Sequence, residues 1–226
     1  MNKIAVIFCT WQRIERLTKT LRMLSEQSHE FDLHIWNNNY DSAEELKEIL
    51  INANMQANVV DSRNNIGGIG RFFLAEEVHE LYDKIVFIDD DQDFDSDLIL
   101  EMDKQHSPKT VCSWSSWKIN SKFEDKTRII AGGNVDYCGT GGMILDASAF
   151  TNINLLIPPT EFMFVEDLWL SCVLKYESNF QLRGIPLNIR MTDDGKNQYE
   201  SLYEIKNVFW DFLKVKYGIA NKKPLV

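Results

Sequence analysis

Two rhythms of apolar and polar residues alternate over the first ninety positions. Short apolar runs, "KIAVIFC", "FDLHIW", "ANVVDS" and "KIVFID", recur between longer stretches of helical period. Such runs, bounded by polar residues, predict buried strands. Between the first two, "QRIERLTKTLRMLSEQ" puts Ile14, Leu17, Leu21 and Leu24 on one helical stripe. "SAEELKEILINAN" predicts a second helix, with Ser42 as N-cap and Glu45 completing a capping box. "IGRFFLAEEVHEL" predicts a third, behind a glycine-rich loop. Strands alternating with helices of this length imply βαβ units, a parallel sheet and right-handed crossovers.

After Asp97 the rhythm changes. "SDLILEMDKQ" predicts a helix capped by Asp95 and Asp97, with Asp93 on the same solvated turn. "TVCSWSSWKI", "TRIIAGG" and "FQLRGIPLNIRM" read as extended, and "GTGGMILDASAF" as a glycine loop entering a strand. "FMFVEDLWLSCVLKYES" is apolar on almost all sides, which predicts a buried helix. The tail "YESLYEIKNVFWDFLKVKYG" predicts an amphipathic helix packing Leu202, Ile205, Val208, Phe209, Phe212 and Leu213. With no repeat and no long linker, the expectation is one α/β domain over 1–226. It divides into a nucleotide-binding half (1–93), a mixed acceptor-side half (94–192), and a lid with the C-terminal helix (193–226).

Composition narrows the chemistry. The 226 residues carry a net charge of −10, which argues against nucleic-acid backbone binding. "IAVIFC" is too short to span a membrane or to serve as a secretory apolar region. Cys9, Cys112, Cys138 and Cys172 are scattered, with no C-x-x-C pair, so buried free thiols and a cytoplasmic location are expected, without zinc. The ending "NKKPLV" reads as the start of a linker, as in one module of a larger chain.

The strongest chemical signal is "KIVFIDDDQDFDSD", where a buried strand runs into Asp89, Asp90 and Asp91. In an open α/β sheet, ligands bind beyond the carboxyl ends of the strands. Two carboxylates about 4 Å apart repel by about 4 kcal/mol at an effective dielectric of about 20. A divalent cation with oxygen ligands, Mg²⁺ or Mn²⁺, would offset that repulsion. An EF-hand is excluded, because the sixth position from Asp89 is Phe94 and the twelfth is Leu100.

Five segments in order, "VIFCTWQR", "LHIWNNNYDS", "SRNNIGGIGR", "IVFIDDDQ" and "GTGGMILDASAF" with "FVEDLWLSCVLKYESNFQLRGIP", resemble the GT-A glycosyltransferases, specifically the family-2-like inverting enzymes. The resemblance covers about residues 3 to 190. It implies the GT-A fold: a Rossmann-like nucleotide-binding half with a mixed central sheet, joined to an acceptor-side half.

The resemblance also implies roles. Thr10, Trp11, Arg13, Asn37 and Asn38 would hold the nucleoside of a nucleotide-sugar donor. Asn65, Arg71 and the "GGIGR" turn would lie near its diphosphate. Asp91, with Asp89, would hold the metal, and Asp89 and Asp90 would lie against the nucleotide. Gly141 and Gly142 would let the sugar approach the backbone, with Trp114 and Trp117 as candidate stacking walls. Asp167 would be the base that deprotonates a glycan or glycoconjugate acceptor, with Glu166 orienting it.

Two departures from the family matter. Asparagine stands where an acidic residue usually contacts the base; its amide can still pair with uracil or thymine, so the base identity stays open, with a UDP-sugar the favoured donor. The histidines His29, His34, His79 and His106 all precede the region where relatives place a histidine ligand. Water, phosphate, or Asp193 or Asp194 would complete the ion instead, the two aspartates lying in a lid from which Arg190 or Lys196 reaches the diphosphate. The competing readings are a sugar nucleotidyltransferase and a non-catalytic sugar- or nucleotide-binding module.

Overall fold

The computed structural model describes residues 3–133, 135–192 and 200–219. Its N-terminal strands are β1 (Ile4–Thr10), β2 (Asp32–Asn37), β3 (Ala57–Asp61) and β4 (Lys84–Phe87). The helices between them are α1 (Ile14–Ser25), α2 (Ala43–Asn52) and α3 (Gly70–Val78). β1 pairs in parallel with both β2 and β4, and β2 in parallel with β3.

The back half contributes β5 (Gln92–Phe94), α4 (Leu98–Gln105), β6 (Thr110–Ser113), β7 (Ser116–Ile119), β8 (Lys126–Arg128) and β9 (Tyr137–Cys138). It continues with β10 (Met143–Asp146), α5 (Glu166–Tyr176), β11 (Gln181–Gly184), β12 (Ile189–Met191) and α6 (Tyr203–Tyr217). A seven-stranded sheet runs β11-β6-β10-β4-β1-β2-β3, and β10 lies antiparallel to both of its neighbours. β12 with β5, and β8-β7-β9, form two small sheets.

Each central strand serves two apolar layers, as the period-two alternation of a strand requires. Ala5 and Ile7 of β1 join Phe72, Phe87, Trp169 and Phe209 on one face. Val6 and Phe8 join Leu17, Leu21, Leu46 and Ile99 on the other. This double coverage explains why β1 and β4 read as unbroken apolar runs.

Several local expectations change. Ser42 precedes α2, but its Oγ donates to Asn39 O at 2.8 Å and caps no helical amide. Asp97 precedes α4 without a side-chain cap bond, and Asp95 instead accepts from the Asn188 amide. Asp93 is held by Arg16 and Lys19, each at 2.7 Å, rather than left to solvent. The segment before Glu166 is a 3₁₀ turn over Thr160–Val165, so the α-helix begins at the acidic pair itself. On α6 the packed stripe is rotated: Lys206, Phe209, Trp210 and Leu213 are buried, while Val208 is 57% and Phe212 40% exposed.

All four cysteines are free, and three of them are buried. Among the described residues no helix is long and apolar enough to cross a membrane. The segment expected to form a lid, with Asp193, Asp194 and Lys196, lies outside the described residues. So does the "NKKPLV" end. Arg190 sits on β12, exposed, 3.9 Å from Asp95.

Candidate active site

A cleft of about 280 Å³ opens beyond the carboxyl ends of β1 and β4. Thr10 ends β1, Trp11 and Arg13 enter from the loop after it, and Asn38 from the loop after β2. Asn65 and Arg71 flank the Gly67–Gly68 turn, and Asp89, Asp90 and Asp91 follow β4. Glu166 and Asp167 complete the cleft from the first turn of α5. A larger groove of about 790 Å³ lies at the opposite ends of β1 and β2 and holds none of these residues.

Arginines offset much of the acidic strand end. Arg13 reaches Asp90 Oδ1 at 3.2 Å and Asp91 Oδ2 at 3.4 Å. Arg71, only 6% exposed, donates to Asp89 Oδ1 at 2.8 Å and to Gly68 O at 3.2 Å. Compensation is incomplete at Asp91, whose Oδ1 is buried with no hydrogen-bond partner among the described residues. Burial, and next the charge of Asp89, push its carboxyl up to about 7, against the pull of Arg13. Burial likewise raises Asp90, with Arg13 opposing.

No group of three or more His, Cys, Asp or Glu side chains converges as a metal cage among the described residues. The donor set nevertheless suits Mg²⁺ or Mn²⁺, which one or two carboxylates hold together with substrate phosphates. Asp91 offers an unsatisfied oxygen, and Asp89 a second carboxylate two residues away.

The asparagine amides are engaged within the protein. Asn37 does not line the cleft; its amide donates to Asp61 at 2.8 Å and accepts from the Asn39 N–H at 2.9 Å. Asn38 does line it, but its Oδ1 accepts from Ile66 N (3.0 Å) and Trp36 Nε1 (3.2 Å) while its Nδ2 donates to Gly67 O (3.0 Å). The Asn38 amide ties the second loop to the glycine-rich turn. Asn65 accepts from Gly67 N at 2.8 Å and stiffens the same turn.

Gly141 and Gly142 stand behind the cleft rather than on its wall. A Cβ on Gly141 would sit 2.3 Å from Asp89 Oδ2, so the absence of a side chain here makes room for that carboxylate. Gly142 has φ +75° and packs under Ile189 and Trp114. Neither Trp114 nor Trp117 lines the cleft; Arg128 covers the first ring at 4.4 Å and Lys126 the second at 5.2 Å.

At the other wall, Glu166 is buried against the Gly67–Gly68 turn. Burial and then the charge of Asp167 push its carboxyl up to about 7, with Arg71 pulling the other way. Asp167 accepts from Leu168 N at 2.8 Å through Oδ1. Its Oδ2 accepts from the Tyr137 hydroxyl and from Lys206 Nζ at 3.0 Å. Sequence reasoning missed both of these partners. Lys206 carried one signal: it lies three residues before Phe209 and four before Trp210, on the apolar stripe.

Solved structures share this architecture. TarS of S. aureus in complex with UDP-GlcNAc superimposes with TM-score 0.69 at 16% identity, over 98% of this chain and 68% of that one. The mannosyltransferase PcManGT of Pyrobaculum calidifontis, with GDP-Man and Mn²⁺, gives 0.67 at 11% identity, over 99% and 66% of the two chains. GalNAc-T7 with UDP, GalNAc and Mn²⁺ gives 0.66 at 8% identity, over 85% and 44%. The chain has the GT-A fold. Against a longer TarS structure, this GT-A unit spans 40% of the chain. No family model matches the sequence, and no curated protein matches it either.

Proposed function

We propose that the chain is a metal-dependent, inverting glycosyltransferase. It would move a sugar from a nucleoside diphosphate, UDP in first place, to a hydroxyl of a glycan or glycoconjugate. The observation that carries this reading is the meeting of Asp89 and Asp91 with Glu166 and Asp167 in one cleft. A binding module has a use for the first pair, but none for two acids at the start of a largely buried helix. The UDP-GlcNAc, GDP-Man and Mn²⁺ of the structural neighbours support a nucleotide-sugar donor and a divalent ion.

The chemistry follows from the placement. Asp167 takes the proton of the acceptor hydroxyl as that oxygen bonds to the anomeric carbon. The bond from this carbon to the diphosphate oxygen breaks, and its electron pair leaves with the phosphate. Attack from the face opposite the leaving group inverts the anomeric configuration. Arg13 and Arg71, already fixed in the cleft, face the charge that grows on the diphosphate. Asp89 and Asp91 would hold Mn²⁺ or Mg²⁺, which when bound supplies Lewis-acid stabilisation of the leaving group.

A thermal-shift panel of UDP, UDP-GlcNAc, GDP and GDP-mannose, with and without Mn²⁺, tests the reading. A ligand at a hundred times its Kd adds about 2.7 kcal/mol to the native state. One nucleotide family should stabilise the protein, and only with metal. No shift with any of them would sink the proposal. Binding without release of nucleoside diphosphate would favour the non-catalytic module, and the anomeric configuration of the product decides inversion.

A further inference from the structure

Helix α6 reaches the cleft through a single charged side chain on its buried face. Phe209 stacks on Phe162 at 4.1 Å between centroids, and Trp210 and Leu213 are buried beside it. That docking carries Lys206, 3% exposed, onto the cleft wall. Its Nζ lies 3.0 Å from Asp167 Oδ2 and 3.3 Å from Tyr137 Oη. The rings of Phe123 and Tyr137 stand 5.2 and 5.3 Å from the ammonium. Tyr137 arrives separately, from β9, and its hydroxyl donates to the same carboxylate oxygen.

A buried ammonium is a poor stabilising device. Its desolvation offsets most of the attraction to a single carboxylate, and replacing both partners of such a pair by apolar residues of similar volume is often neutral or stabilising. At this position on α6 a leucine or methionine would satisfy the packing. What a lysine adds that neither of those could is an ammonium bonded to Asp167 and to Tyr137.

We infer that Lys206 and Tyr137 are positioning residues for Asp167, so that α6 completes the catalytic apparatus. The inference rests on the glycosyltransferase reading above. Together the two donors occupy Oδ2 and fix the rotation of the carboxylate. A carboxylate has about four lone-pair sites, and Oδ1 gives one to Leu168 N. Its remaining lone pair is the one aimed at the acceptor. Loss of either donor lets the carboxylate turn, and a misplacement of about 1 Å costs about a hundredfold in rate at the extreme.

The experiment measures release of nucleoside diphosphate from whichever of UDP-glucose, UDP-GlcNAc, UDP-galactose and GDP-mannose most stabilises the wild type. Lys206→Met should lower kcat at least tenfold with donor KM within twofold, while Tm falls because Asp167 loses its buried counter-charge. Lys206→Arg should recover part of the loss, and Tyr137→Phe should lower kcat several-fold at unchanged KM. A merely structural role would instead lower Tm while kcat stays within twofold of wild type, or would raise KM along with any loss of rate. Should Lys206→Met fail to fold, Tyr137→Phe and Lys206→Arg carry the same test. An active wild type with wild-type kcat in these variants overturns this inference alone. A wild type that neither binds nor cleaves any of the four sugars overturns the glycosyltransferase reading beneath it.

Discussion

Gly68 and Glu166 share one space: a Cβ on the glycine would lie 1.8 Å from Glu166 Oε1 and 2.6 Å from its Cδ. The glycine-rich turn therefore lacks a side chain here because a carboxylate from α5 fills the position. The group that must yield is the far end of a flexible side chain, so Gly68→Ala should be tolerated by the fold. Tm is expected within about 3 °C of wild type, about 1 kcal/mol for a chain of this size. Donor turnover, by contrast, should fall about tenfold or more, because the displaced carboxylate disturbs Asp167 beside it. Placed in a Glu166→Ala background, the same substitution should cost little further activity. Equal losses in both backgrounds would show that the two residues act independently.

Gly184 meets the opposite situation. Its Cβ would lie 2.1 Å from the backbone oxygen of Ile129 and 2.6 Å from Ser116 Oγ. Gly184 also exchanges two backbone hydrogen bonds with Gly132, at 2.8 and 3.0 Å. These contacts hold the small β7–β8–β9 sheet to the edge of the large one, and β9 carries Tyr137 to Asp167. Backbone cannot swing aside, so Gly184→Ala should destabilise by about 3 kcal/mol, or about 6–12 °C in Tm. Thermal unfolding within 2 °C of wild type would mean that the two sheets are not locked at this point.

Local pattern and long-range contact explain what could be read in advance. β1 to β4 and their helices are legible because each announces itself within a dozen residues, by a short apolar run or by period 3.6. The antiparallel insertion of β10 between β4 and β6 was not, because partner choice leaves no mark on a strand's own sequence. The same holds for the β5–β12 pair, which joins segments far apart in the chain. In the cleft, residue types that define the chemistry were visible as motifs. How their hydrogen bonds are spent was not: Asn37 looked like a ligand contact and serves Asp61 and Asn39. Lys206 hid in an apolar stripe, where a lone cation reads as an interruption.

Glu166 makes stability depend on pH. Burial and then Asp167 raise its carboxyl from 4.5 to about 7, with Arg71 opposing. Between those values the folded chain keeps a proton that the unfolded chain has lost. Native stability therefore falls as pH rises through that window, and the penalty is constant above it. Glu166→Gln removes the proton exchange. The Tm of the variant should match the wild type near pH 4.5 and exceed it by about 6–12 °C at pH 8, for about 3 kcal/mol of linkage. A gap that does not change with pH would show that Glu166 keeps its ordinary acidity when folded.

Asp91 sets stability against ligand binding. Its Oδ1 is buried without a partner among the described residues, and burial together with Asp89 resists its ionisation. At pH 8, above its raised value of about 7, the folded chain bears an unfavourable charge that Asp91→Asn would remove. The variant should melt a few degrees higher than wild type without ligand, about 1–2 kcal/mol. It should also lose the Mn²⁺-dependent part of the nucleotide shift, because an amide replaces the anionic oxygen ligand. Titration of the two proteins with UDP and Mn²⁺ by calorimetry separates the effects. A variant that is more stable yet binds metal and nucleotide like wild type would remove Asp91 from the metal site and leave Asp89 to hold it.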